Sequence, residues 1–164
     1  MAESLRILGI DPGLNITGYG VLEGHIPRPL VLEAGVIRST RASDFAVRLK
    51  EIHEGVAEIV EQYKPRVMVV EQLYAHYKHP RTAILMGHAR GAALLAAARH
   101  DVPVLSYSAT RIKKTITGHG HASKGQMQRT IQGELALATL PEPADVADAL
   151  AVALCHFYLQ RSSA

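Results

Sequence analysis

The chain has 164 residues, 48% of them hydrophobic, a formal net charge of +3 and one cysteine. That length and apolar content predict one globular domain over residues 1–164 rather than a disordered or fibrous chain. No apolar run approaches the ~18 residues of a membrane span, no secretory pattern opens the chain, and a lone Cys155 within LAVALCHFY excludes an internal disulfide and argues against a thiolate metal cluster, so a cytoplasmic protein is expected.

The first element is the apolar run of Leu5, Ile7, Leu8 and Ile10, which ends in Asp11-Pro12-Gly13. A run of this kind bounded by turn residues reads as a buried strand, and it delivers the Asp11 carboxylate to the edge of the core. Taken alone, Asp11 fits an ordinary turn aspartate equally well. ITGYGVLE reads as its hairpin partner and LVLEAGVIRS as a third antiparallel strand, separated by the turn-rich GHIPRP. Phe45, Leu49, Ile52, Val56 and Ile59 then recur at helical spacing, predicting a helix over 43–62 with Ser43 as N-cap and Asp44 in its first turn.

VMVVEQ, residues 67–72, is an unbroken apolar run of the kind a central strand shows, with Glu71 at its carboxyl end. Strand, helix and strand in this order imply a crossover and parallel pairing with an earlier strand, and sites in such sheets form beyond the carboxyl ends of the strands. A second helix over 80–99 opens on Pro80, and its small face of Ala83, Gly87 and Gly91 suits close packing on a sheet or another helix. PVLSY is a fifth strand. Ser108 is placed to cap a short helix ending near Gly118, and Ser123 with Gln126 has capping-box spacing for another. Between them the Gly118–His121 loop is expected to be flexible; His119 and His121 suit a phosphate backbone or plain exposure better than a metal, since no third ligand is near. The last helix follows Pro141 and Pro143 and carries Asp145 and Asp148 on one face of its start. The fold class is therefore α/β, a mixed five-stranded sheet flanked by helices.

Charge is segregated along the chain. From Gln72 to Gly133 there are nine Lys and Arg against the single acid Asp101, so the remainder is net acidic. Such a basic span is an electrostatic footprint for a polyanion. Asp11, Glu71, Asp145 and Asp148 converge if the last helix crosses the carboxyl end of the sheet. Four carboxylates together repel one another, and divalent cations with oxygen preference, Mg²⁺ or Mn²⁺, relieve that repulsion. Two such ions, ~3.5–4 Å apart, suit phosphodiester hydrolysis.

GIDPGLNITGYGV, VVEQLY, GHARG, YSATRIKKTITGHGHASK and ADVADALAVAL, in this order and over nearly the whole chain, resemble the RuvC family of bacterial Holliday junction endonucleases. The resemblance implies the RNase H-like (retroviral integrase superfamily) fold and a homodimer that makes paired symmetric nicks in a four-way DNA junction during recombination and repair, leaving 5′-phosphate and 3′-hydroxyl ends. It implies Asp11, Glu71, Asp145 and Asp148 as the acidic tetrad, with two Mg²⁺ or Mn²⁺ ions. It places Lys113 and Lys124 near the scissile phosphate, and Tyr74 against a base near the crossover. Lys78, Arg81, Arg111, Lys114, His119 and His121 complete the expected DNA contacts, and RuvA and RuvB are the expected partners. His88 departs from a Gly-Gln-Ala-Arg-Gly pattern. Three other readings share parts of these features. A YqgF-type nuclease of the same fold acts on RNA, and an ATPase lobe of the actin and sugar-kinase type also opens on a strand, an Asp and a glycine-rich hairpin. A non-catalytic DNA-binding module would have no use for Asp148.

Overall fold

In the computed structural model, residues 4–73 and 79–163 are described. Five strands form one sheet in the order β3-β2-β1-β4-β5. β1 (Arg6–Asp11), β2 (Ile16–Glu23) and β3 (Leu30–Arg38) are antiparallel neighbours, while β4 (Val67–Glu71) pairs parallel to β1 and β5 (Val104–Tyr107) parallel to β4. This is the mixed sheet that the hairpin and crossover patterns predict.

Alternation along the central strands sorts their side chains onto two cores. Leu8, Ile10, Met68 and Val70 face α1 (Phe45–Tyr63) and α2 (Pro80–Arg99), which also pack on each other. Ile7, Val67 and Val69 face the opposite way, toward α3 (Ala109–Thr117), α4 (Lys124–Glu134) and α5 (Ala144–Ser162). α5 is buried along most of its length, from Val146 to Phe157 except for Asp148. A helix apolar on nearly all sides has to be covered on all sides, and here the sheet, α3 and α4 cover it.

Glycines on β1 and β2 seat α5 directly on the strands. A Cβ at Gly9 would stand 2.0 Å from the Ala149 carbonyl oxygen, and one at Gly20 would stand 2.5 Å from Leu150 Cδ2. On β5, the Tyr107 hydroxyl and His156 Nδ1 of α5 share a hydrogen bond of 2.7 Å. Burial pushes the His156 imidazole below its ordinary pKa, so it stays neutral in the core.

Two local expectations are corrected. Ser43 does not cap α1: its N–H donates to Thr40 O in a preceding turn, and Asp44 takes the N-cap position without a side-chain cap bond. The small face of α2 is packed only in part: Ala83 and Gly87 are half-buried, with Leu73 Cδ2 3.6 Å from where a Cβ at Gly87 would stand, whereas Gly91 is exposed and a Cβ there would meet no described atom within 4 Å; the fully buried positions of α2 are Ala89, Ala93, Ala96 and Ala97. In the Gly118–His121 loop the His119 N–H donates to Thr117 Oγ1 at 3.1 Å and the Ala122 N–H to His119 O at 3.1 Å. Ser108 accepts from the Arg111 N–H, Gly118 closes α3 at φ 83°, and the Ser123–Gln126 capping box is formed, all as expected.

Candidate active site

Asp11 and Glu71 reach the same face of the sheet for one reason: each lies two residues beyond a position that faces α5, Gly9 and Val69 respectively. The parallel register pairs Ile10 with Val70, so the two carboxylates end neighbouring strands side by side. Across the antiparallel ladder Asp11 opposes Gly18. A Cβ at Gly18 would lie 2.1 Å from the Asp145 carbonyl oxygen, so the first turn of α5 sits over the Asp11–Gly18 pair. Asp148 follows one turn later on the same helix.

The electrostatics show how close this packing is. The Asp11 carboxyl is pushed up to about 8, first by burial and then by the charges of Asp148, Asp145 and Glu71, and it also hydrogen-bonds with the Asp145 side chain. Glu71 is raised first by partial desolvation of its carboxyl and then by Asp148, with Lys113 pulling the other way. Asp148 is likewise raised first by partial desolvation, and Lys124 opposes this most strongly. The four acids therefore form one interacting set and the two lysines face it.

Glu71, Asp148, Lys113 and Lys124 line one open cleft of about 290 Å³, floored by Ile112, Ile131 and Ala147. Helix starts aim the lysines. The Ser108 cap fixes α3, which carries Lys113, and the Ser123 capping box places Lys124 as the first residue of α4. Gln128 and Met127 also line the cleft, and sequence reasoning did not single them out; their α4 spacing from Lys124 was the available signal.

The remaining expected contacts are not among the residues that line this cleft. Arg111 is exposed, with its guanidinium 5.2 Å from the centre of the Tyr107 ring, where cation–π attraction holds it. Arg81 is exposed at the start of α2, and Lys114, His119 and His121 are exposed on α3 and the loop after it. Tyr74 and Lys78 lie outside the described residues. His88 sits edge-on to Phe45 with ring centroids 5.2 Å apart, so the departing residue joins α2 to α1.

No His, Cys, Asp or Glu group of three or more among the described residues is arranged to hold a metal ion as it stands, which leaves His119 and His121 outside any such cluster. The four acids are an interacting set rather than a closed cage. Their chemistry still fits a hard divalent cation. The donors are all carboxylate oxygens, their mutual repulsion is what such an ion offsets, and the thiol of Cys155 is buried in the core.

Residues 7–156 match the family model described as "Crossover junction endodeoxyribonuclease RuvC". A protein of that name from Rhodopirellula baltica is 54% identical over 93% of this chain and 86% of its own length. Another from Hydrogenovibrio crunogenus is 47% identical over 95% of this chain and 89% of its own. The solved structure of T. thermophilus RuvC in complex with Holliday junction substrate superposes with a TM-score of 0.91 at 32% identity, covering 97% of this chain and 96% of that one. Near-complete coverage in both directions, with the five-stranded sheet retained, places the chain in the RuvC family of crossover junction endodeoxyribonucleases.

Proposed function

We propose that this chain is a structure-selective endonuclease that resolves four-way DNA junctions by metal-dependent hydrolysis of one phosphodiester in each of two strands. The observation that carries the reading is the coupling of Asp11 to Asp145, Asp148 and Glu71 beside a cleft flanked by Lys113 and Lys124. An acidic pocket faced by lysines of the basic span holds a polyanion and cuts it; a binding module has no need of four carboxylates that destabilise one another.

Asp11, Glu71, Asp145 and Asp148 would hold the divalent ions, Mg²⁺ or Mn²⁺ and two per site. When bound, such ions supply an activated water and offset charge on the departing 3′ oxygen. Lys113 and Lys124 stabilise the charge that builds on the phosphoryl oxygens, and the products carry a 5′-phosphate and a 3′-hydroxyl. No covalent bond to the protein forms. Arg111, Lys114, His119, His121 and Arg81 bind flanking phosphates, with Lys78, and Tyr74 stacks on a base near the crossover.

The pairing of nicks requires two active sites, hence a two-fold dimer. Support comes from α2, where Ile84 and Leu95 are 61% and 54% exposed and share by helical spacing the side that carries the open Gly91. The nuclease acts as one domain over residues 1–164, in the bacterial cytoplasm and alongside RuvA and RuvB. No helix among the described residues is long and apolar enough to cross a membrane. The decisive experiment incubates the protein with an end-labelled mobile four-way junction, with and without Mg²⁺ or Mn²⁺. Symmetric metal-dependent nicks are expected; binding without cleavage in either metal overturns the proposal.

A further inference from the structure

Asp11 is the last residue of β1, and beyond it the backbone is held only by the turn that leads into β2. Pro12 has no N–H with which to brace it. Within the hairpin, the fully buried Thr17 closes it: Thr17 Oγ1 donates to Gly13 O at 2.9 Å and accepts from the Gly13 N–H at 3.3 Å.

A second set of bonds comes from far away in sequence. Arg48, in the first turn of α1, donates from Nη2 to Leu14 O at 3.3 Å and to Asn15 Oδ1. Its Nε donates to Ser39 Oγ at 3.1 Å, and Ser39, buried just beyond β3, returns its hydroxyl to the same Leu14 carbonyl. The Ser39 N–H donates to Asn15 O at 3.2 Å. Among the described residues no carboxylate is in direct ion-pair contact with Arg48; Glu51, on which its charge also acts, is bonded instead by the Thr40 N–H and hydroxyl at 2.7 and 2.8 Å. A rigid guanidinium fork is thus spent on a four-residue turn, and it is not among the charges that act on Asp11.

We infer that Arg48 is a positioning residue of the nuclease: with Ser39 it clamps the turn behind Asp11 and so fixes where that carboxylate stands against Glu71 and Asp145. It touches neither DNA nor metal and acts through the backbone of residues 13–15. The inference rests on the reading of Asp11 as a metal ligand. A lysine keeps the charge at this position but loses the fork, so it restores only part of the effect.

The test compares Arg48→Met, Arg48→Lys and Asp11→Asn with the unaltered full chain. Mn²⁺ binding to the DNA-free protein is followed by electron paramagnetic resonance, junction binding by gel shift without divalent metal, and nicking as kcat and KM in Mg²⁺. Arg48→Met is expected to weaken Mn²⁺ binding several-fold and lower kcat about tenfold or more, with KM and junction binding within about twofold. Arg48→Lys should fall between. If Arg48→Met fails to fold, Asn15→Ala, which removes one exposed acceptor of the clamp, must show the same shifts at smaller size. Weakened junction binding with unchanged Mn²⁺ affinity overturns the inference in favour of a DNA contact, as does wild-type behaviour of both folded variants. Should Asp11→Asn itself nick normally, the reading of the site fails; should it be inactive while Arg48→Met is unaffected, only the clamp fails.

Discussion

Gly18 and Asp145 are in backbone contact: a Cβ on Gly18 would stand 2.1 Å from the Asp145 carbonyl oxygen and 2.9 Å from its Cβ. Because Gly18 is also the ladder partner of Asp11, a single glycine sets the distance between the strand that carries one acid and the helix that carries two. Gly18→Ala is expected to lift the start of α5, to cost about 1–3 kcal/mol of stability and to lower nicking at least about tenfold. Thermal melting and junction cleavage check this together; an alanine variant with wild-type cleavage would show that the helix start does not set the site.

Asp148 is the most solvent-open of the two α5 acids and faces Lys113 and Lys124. Asp148→Asn keeps its shape and removes a negative charge from the path of the DNA. Junction affinity should hold or tighten, while nicking in Mg²⁺ falls at least about 100-fold. Gel shift and cleavage on the same preparation separate the two effects.

Raising the Asp11 carboxyl to about 8 makes the metal-free protein sensitive to pH. The unfolded chain releases this proton near the ordinary aspartate value and the folded chain retains it, so this contribution to stability is whole below about pH 4 and is lost as pH rises to about 8. Asp11→Asn should therefore raise the melting temperature of the metal-free protein at pH 8 by about 3–8 °C, and change it little at pH 4. Divalent metal competes with the same proton, so apparent Mg²⁺ affinity should rise across this window. Calorimetry at pH 4 and pH 8 measures the first, and metal titrations across the same window the second.

The exposed lysine Lys114 lies on α3 but not in the cleft lining. Lys114→Ala should weaken junction binding and reduce the slope of log affinity against log salt by about 1, while cleavage at saturating junction is unchanged. A salt titration of binding reads the slope directly.

On the outer face of α2, Leu95→Glu places a charge on the exposed stripe beside Gly91. The expected result is a monomer by light scattering and loss of paired nicking, with the fold intact by circular dichroism. A stable dimer in this variant would move the interface elsewhere.

Much of this molecule was legible in its residues. Alternation in RILGID and the unbroken VMVVE announce central strands, and the caps at Ser108 and Ser123 announce the helices that aim Lys113 and Lys124. These are local signals, carried by neighbours one to four positions apart, so a linear reading captures them. The four acids were legible too, since each ends or begins such an element. What lay beyond reach was contact between segments distant in the chain. The seating of α5 on Gly9, Gly18 and Gly20 depends on which face of the sheet the helix covers. Whether the glycines of α2 are packed or open depends on its rotation, and no local pattern reports it. The reach of Arg48 to Leu14 and Asn15 spans more than thirty positions and leaves no periodic trace. Local chemistry thus determined which elements form and which carboxylates they carry, whereas their convergence and mutual repulsion were decided only when sheet and helix packed, because Coulomb and hydrogen-bond energies depend on distance in space and not on order along the chain.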